Sequence, residues 1–227
     1  MLNKISEIFQ TILSKLNGFD DVQKVQQGEV TLEYGIIAGN NTIVFLKSGL
    51  QDTCYGYENK YLKIANRLNK MHGCTVISAS NPNGRKDDFG SEMEFLKEYA
   101  NNQGWKEYQV YYMGHSNGAN LGMIHAYKFP EIKKLVCING PLVGYNKKIS
   151  NGIKSFNGEK MNLIYGNKDV SFGIVEQLAK YKSDKVAITK FADVDHEFKG
   201  CLDLFIEIPG HFFFDDEIES ENAEILP

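Results

Sequence analysis

No apolar run in this chain approaches the roughly 18 residues that a membrane-crossing helix needs, so no membrane span is expected. Paired cysteines are missing as well. Cys54, Cys74, Cys137 and Cys201 lie far apart and form no C-x-x-C unit, which argues against a zinc site or a disulfide framework. They read as buried thiols. A basic excess is lacking, with 25 Lys and Arg against 29 Asp and Glu, so there is no electrostatic reason to bind nucleic acid. The segment Met1-Leu2-Asn3-Lys4-Ile5-Ser6-Glu7-Ile8 has no unbroken apolar stretch of the kind a signal peptide uses, which makes the cytoplasm the expected location. Internal repeats, low-complexity linkers and composition shifts are absent too, so nothing marks a domain boundary.

What remains is globular: 227 residues, 42% of them hydrophobic, enough to bury one core. A single domain over residues 1–214 is expected, followed by an acidic tail at 215–227. Asp215, Asp216, Glu217, Glu219, Glu221 and Glu224 account for the net charge of -4, leaving the body with 25 basic and 23 acidic residues. The tail reads as a frayed, solvated end.

Leu2, Ile5, Ile8, Phe9, Ile12, Leu13 and Leu16 recur at helical spacing before Asn17-Gly18, predicting an N-terminal helix over 1–17. Glu29 to Ile37 and Thr42 to Lys47 are rich in β-branched and aromatic residues around Gly39-Asn40-Asn41, the chemistry of a tight antiparallel hairpin. Short apolar strands follow at Cys74 to Ala79, Tyr108 to Met113, Lys134 to Asn139, Met161 to Tyr165 and Lys185 to Phe191. Helical stretches alternate with them at Tyr57 to Met71, Ser91 to Asn101, Ala119 to Lys128 and Ser171 to Lys182, the second opening on a Ser91-Glu92-Met93-Glu94 capping pattern. The alternation predicts an α/β fold with a mostly parallel central sheet, helices on both faces and an N-terminal antiparallel hairpin.

One strand runs directly into Gly114-His115-Ser116-Asn117-Gly118 and then into a helix. This is G-x-S-x-G between strand and helix, where the sharp turn lifts a serine hydroxyl above the sheet and glycines let neighbouring backbone come close. A serine needs a base and an orienting acid to become a nucleophile. Of the five histidines, His72, His115, His125 and His211 read as surface or packing residues. His196 instead lies in the loop after the last strand, at the reactive edge of an open α/β sheet. Among the acids between Ser116 and His196, Asp169 closely follows a core strand, in Gly166-Asn167-Lys168-Asp169, and Asp195 beside His196 is its rival. The corresponding position after the preceding strand is Asn139-Gly140, with no acid.

These motifs, in the order nucleophile, acid, base, resemble the α/β-hydrolase fold family of serine hydrolases over about Val30 to Phe198. The resemblance implies Ser116 as nucleophile, His196 as general base and Asp169 as its partner. It also implies an oxyanion hole from the Asn117 amide and one amide of the Ser48-Gly49-Leu50-Gln51 loop, Leu50 first among Gly49, Leu50 and Gln51. Many relatives insert a cap after the strand that ends near Asn139, where this chain has only Gly140 to Lys160. A minimal, cap-poor site is therefore expected, walled by Leu142, Val143, Tyr145 and Phe172 and open to small or soluble esters. Thioesterase, lipase and amidase or peptidase activity would use the same triad, and a non-catalytic binding protein on this fold is the alternative of another class. No metal-ligand set or phosphate-cradling loop is present, so no cofactor is expected. The aromatic segment Phe205 to Phe214 serves either core packing or self-association.

Overall fold

In the computed structural model, which describes residues 18–27, 29–82, 89–141, 146–220 and 224–226, one nine-stranded sheet organises the chain. Its strands are β1 (Asp21–Gln27), β2 (Val30–Ile37), β3 (Asn40–Lys47), β4 (Cys74–Ala79), β5 (Gln109–His115), β6 (Ile132–Ile138), β7 (Lys160–Gly166), β8 (Val186–Phe191) and β9 (Ile225–Leu226). They lie in the order β1-β2-β4-β3-β5-β6-β7-β8-β9. From β4 to β8 every pairing is parallel, and β1, β2 and β9 complete the sheet antiparallel.

The predicted pairing of β2 with β3 is corrected by this order. The hairpin is β1 with β2, in the register Gln27↔Val30, and β4 separates β2 from β3. The polar β1, Asp21-Val22-Gln23-Lys24-Val25-Gln26-Gln27, carries little apolar signal because it is an exposed edge strand. Gly39 sits against the backbone of Gly73 and Cys74, so the turn-like residues there serve close approach to β4's entry rather than a hairpin.

The inner strands are apolar because both of their faces are covered. Along β3, Ile43 and Phe45 point into one core while Val44 and Leu46 point into the other, and β6 repeats this with Leu135 and Cys137 against Val136 and Ile138. The first core is closed by α2 (Phe89–Asn102), α3 (Asn117–His125) and α4 (Asn146–Ser155), through Phe89, Met93, Ala119, Met123, Ile149 and Ile153. The second is closed by α1 (Lys60–His72) and α5 (Leu202–Phe214), through Tyr61, Ile64, Leu68, Leu204, Phe205 and Ile208.

Two predicted helices change in detail. α2 begins at Phe89, which puts Ser91 inside its first turn rather than at its cap. The stretch Phe172–Tyr181 is wound as a 3-10 helix. Phe205 and Phe213 of the aromatic segment are buried in α5, so these rings serve the core. All four cysteines are free and buried.

The predicted N-terminal helix over 1–17 lies outside the described residues. The acidic tail is not frayed where it is described. β9 pairs with β8, the amides of Glu219 and Ser220 donate to the Glu207 carboxylate at 3.1 and 3.0 Å, and Asp216 meets His72 at 2.9 Å. Among the described residues, no helix is long and apolar enough to cross a membrane.

Candidate active site

Ser116 stands between β5 and α3 with φ 53° and ψ -118°, a conformation that costs an L-residue energy and persists only when its surroundings enforce it. The enforcement is visible. The Ser116 amide donates to Ile138 of β6 at 2.9 Å, and its carbonyl accepts from the Asn120 amide of α3 at 3.2 Å. A Cβ on Gly118 would run into the carbonyl oxygen of Lys47, and one on Gly114 into the Gly118 backbone. Both glycines are required by close approach, which brings the end of β3 and the loop after it against the elbow.

Asp169 follows β7 in a tight turn. Its Oδ1 accepts the Ser171 amide at 2.6 Å, and its Oδ2 accepts a hydrogen bond from His196 Nδ1. On the other side of the ring, the Ser116 hydroxyl donates to His196 Nε2 at 2.9 Å. Ser116, His196 and Asp169 thus form one hydrogen-bonded series drawn from three different strand ends. The rival Asp195 is spent elsewhere, because its Oδ1 accepts the amides of Glu197 at 3.0 Å and Lys199 at 2.9 Å.

Electrostatics follow from these contacts. The hydrogen bond to Asp169 raises the His196 pKa above the ordinary histidine value, with burial working the other way. Burial opposes ionisation of Asp169, but hydrogen bonds from His196 and Ser171 outweigh it and hold the carboxyl below its usual range. The pair therefore favours a carboxylate beside an imidazole that accepts a proton readily.

Several positioning residues were invisible to sequence reasoning. Asn139, buried and with φ 47°, donates from Nδ2 to the carbonyls of Asp195 at 3.1 Å and His196 at 3.3 Å, while its Oδ1 accepts the Gly166 amide at 3.0 Å. It ties the ends of β6 and β7 to the loop carrying His196. The available signal was an asparagine, a residue tolerant of positive φ, at the end of a core strand. His115, read from sequence as a packing residue, is buried and donates from Nε2 to the His196 carbonyl at 2.8 Å. Asn81 donates to the Ser48 carbonyl at 3.0 Å and to Asn117 Oδ1 at 3.1 Å, stitching the loop after β3 to the elbow.

That loop supplied three candidate oxyanion donors. The Gln51 amide donates to the Asn81 carbonyl at 2.7 Å, which commits it and leaves Gly49 and Leu50 beside Asn117. A cleft of about 350 Å³ opens here, lined among others by Leu50, Asp52, Tyr57, Ser116, His196 and Glu197. Leu50 and Tyr57 are half exposed, which gives the cleft an apolar rim. Phe172 is partly buried and packs against the first core, and it is not among the residues lining this cleft. Leu142, Val143 and Tyr145 lie outside the described residues.

His115, His196 and Glu197 bring three donor atoms within 4.8 Å of one another, as a metal site would. Their hydrogen bonds oppose that use. Both ring nitrogens of His196 are engaged, and Glu197 is held by the Lys60 ammonium at 3.0 Å.

No protein-family model matches the chain, and a search of curated proteins finds no sequence match. Solved structures do resemble it. Est1E from Butyrivibrio proteoclasticus superposes with a TM-score of 0.68 at 12% identity, over 86% of this chain and 98% of that one. A dienelactone hydrolase from Anabaena variabilis gives 0.67 at 16% identity, over 86% and 96%. XC6422 from Xanthomonas campestris, described as a serine hydrolase without a lid, gives 0.62 at 14% identity, over 84% and 92%. The architecture of this chain is the α/β-hydrolase fold.

Proposed function

We propose that this protein is a serine hydrolase that cleaves carboxylic esters of small or soluble substrates through an acyl-enzyme on Ser116. The observation that carries the reading is the hydrogen-bonded series from Ser116 Oγ through the His196 ring to Asp169. In the proposed reaction, Ser116 Oγ attacks the ester carbonyl carbon as its proton passes to His196 Nε2. The carbonyl π electrons move to oxygen, and the amides of Asn117 and Leu50 bind that oxyanion. Collapse expels the alkoxide, which takes the proton from His196 and leaves as alcohol. Water then attacks the acyl-serine with His196 again as base, releasing the acid and restoring Ser116.

The substrate class rests on shape. Among the described residues the cleft beside Ser116 is open and its lining mixes half-exposed Leu50 and Tyr57 with charged Asp52, Glu197 and Lys199, and such a site suits a small polar ester better than a long acyl chain. Est1E, one of the similar structures, is known with ferulic acid bound, so a hydroxycinnamate ester belongs in the substrate panel. Thioesters and amides can enter the same chemistry and are separated from esters by rate.

The test combines labelling and turnover. A fluorophosphonate probe should modify wild-type protein at Ser116 and leave Ser116→Ala untouched. A series of p-nitrophenyl esters, matched thioesters and anilides should be turned over by wild type, short esters fastest, with a loss on the order of 10⁴-fold or more in Ser116→Ala. Folded protein that neither labels nor turns over any member would leave the non-catalytic binding reading.

A further inference from the structure

Lys60 breaks two rules of its local setting. It is the first residue of α1, where the helix dipole disfavours a cation, and it is fully buried, where an unpaired ammonium is costly. The turn that delivers it is strained too, with positive φ at Glu58 and Asn59. A residue held against such costs has a partner that requires it. The Lys60 ammonium donates to Glu197 Oε2 at 3.0 Å, lies 3.9 Å from Asp52 Oδ2, and sits over the rings of Phe205 at 5.0 Å and Tyr61 at 5.3 Å. Glu197 is the residue after His196.

We propose that Lys60 and Glu197 form a charge-balanced pair that seats the loop carrying His196 and sets the pH at which that imidazole becomes neutral. The proposal deepens the hydrolytic reading above and rests on it. Lys60 and Glu197 are positioning residues in this role, since the pair acts through His196, while Glu197 also lines the cleft. α1 and the His196 loop are otherwise far apart in sequence, and the pair fastens one to the other across 137 residues.

The charges facing His196 come from every neighbouring element. Asp169 stands after β7, Glu197 on its own loop, Lys60 on α1 and Asp52 on the loop after β3, with exposed Lys199 two residues beyond Glu197. His115 at the end of β5 is kept neutral by burial and contributes a donor without charge. The Glu197 carboxylate favours protonated His196 and the Lys60 ammonium disfavours it, so the two offset each other. Removing one member exposes the imidazole to the other.

Opposite shifts are therefore expected. Hydrolysis requires neutral His196, so the acid limb of the kcat/KM profile reports its titration. Glu197→Gln keeps a hydrogen-bond acceptor for Lys60 and removes the negative charge. It should move the acid limb to lower pH by about half to one pH unit, and Lys60→Met should move it to higher pH by about as much. The double variant should return close to the wild-type midpoint. A purely structural role would lower rates without moving midpoints in opposite directions.

The profiles are measured with p-nitrophenyl acetate, and the His196 imidazole is titrated by NMR in the Ser116→Ala background. The NMR reading needs no turnover, so it separates this proposal from the hydrolytic one. If wild-type turnover survives Ser116→Ala unchanged, the hydrolytic reading fails. If turnover depends on Ser116 but both midpoints stay put or move the same way, the ion-pair proposal fails alone. Glu197 is part exposed and its glutamine variant is nearly isosteric, so an unmoved midpoint there overturns the proposal even if Lys60→Met does not fold.

Discussion

His115 donates from its ring to the main-chain carbonyl of His196 at 2.8 Å, so the residue before the elbow serine grips the loop whose imidazole faces that serine. Burial, with the Lys60 charge nearby, pushes the His115 pKa well below the ordinary histidine range. It is an uncharged donor at neutral pH. Its ring also stands edge-on to Phe205 of α5, with centroids 5.3 Å apart, so its orientation is set by packing as well as by hydrogen bonding.

His115→Phe keeps an aromatic ring and removes the donor. Asn139 still reaches the same carbonyl at 3.3 Å, so that carbonyl keeps one of its two side-chain donors. The loss expected is about 10-fold in kcat with KM little changed, from one hydrogen bond to a buried carbonyl. The acid limb should stay in place because no charge has been removed. Steady-state kinetics across that limb check both parts, and an unchanged kcat would remove the role given to His115.

Asp169→Asn tests the acid. The hydrogen bond to Asp169 is the main cause of the raised His196 pKa, and a base works only when neutral, so activity should rise as pH climbs through that raised value. With the carboxylate gone, the imidazole loses its proton more easily and the acid limb moves to lower pH. The ring also loses the acceptor that fixes its tautomer, so kcat should fall by about 10⁴-fold. A variant that is slow but keeps the wild-type midpoint would contradict this assignment.

Gly118→Ala places a methyl group against the Lys47 carbonyl, which belongs to β3 and cannot yield without moving Ser48 and the loop after it. A cost of about 1–3 kcal/mol is expected for such overpacking. Urea denaturation should show the lower midpoint, and turnover in the folded variant should fall because the loop carrying Gly49 and Leu50 moves away from Ser116. Wild-type stability with wild-type rate would mean that the elbow tolerates a side chain there.

Removing residues 215–227 tests the tail. The truncation deletes the β9 pairing, the two amides on Glu207 and the Asp216 contact with His72. Glu207 is mostly buried and would lose its donors. A loss of about 2 kcal/mol is expected, lowering the melting temperature by about 4–8 °C for a chain of this size. Calorimetry of the truncated and full chains decides it, and equal melting temperatures would return the tail to a solvated end.

Local signals carried the strands from β4 to β8. Strands such as Cys74–Ala79 and Lys160–Gly166 are short, apolar and bounded by turns because both of their faces are covered. The same logic failed for polar β1 and for α5, whose apolar run around Pro209 gives no clear helical period. At the site, Gly114-His115-Ser116-Asn117-Gly118 was legible because the elbow's strain and close contacts demand those residue types locally. Asp169 and His196 were legible as residues following strand ends. Their rivals could be set aside only when Asp195 was seen to turn back on Glu197 and Lys199, and the Gln51 amide to serve Asn81.

The sequence by itself determined the α/β class, the inner strands and the serine turn at Gly114-His115-Ser116-Asn117-Gly118, and narrowed the acid to Asp169 or Asp195, since periodicity and turn chemistry are properties of neighbours along the chain. Only the tertiary structure decided that β4 lies between β2 and β3, that Asn81 and Asn139 tie the loops together, and that buried Lys60 answers Glu197. Strand order and charge compensation depend on which distant segments the chain path brings together, and no local pattern encodes a partner 137 residues away.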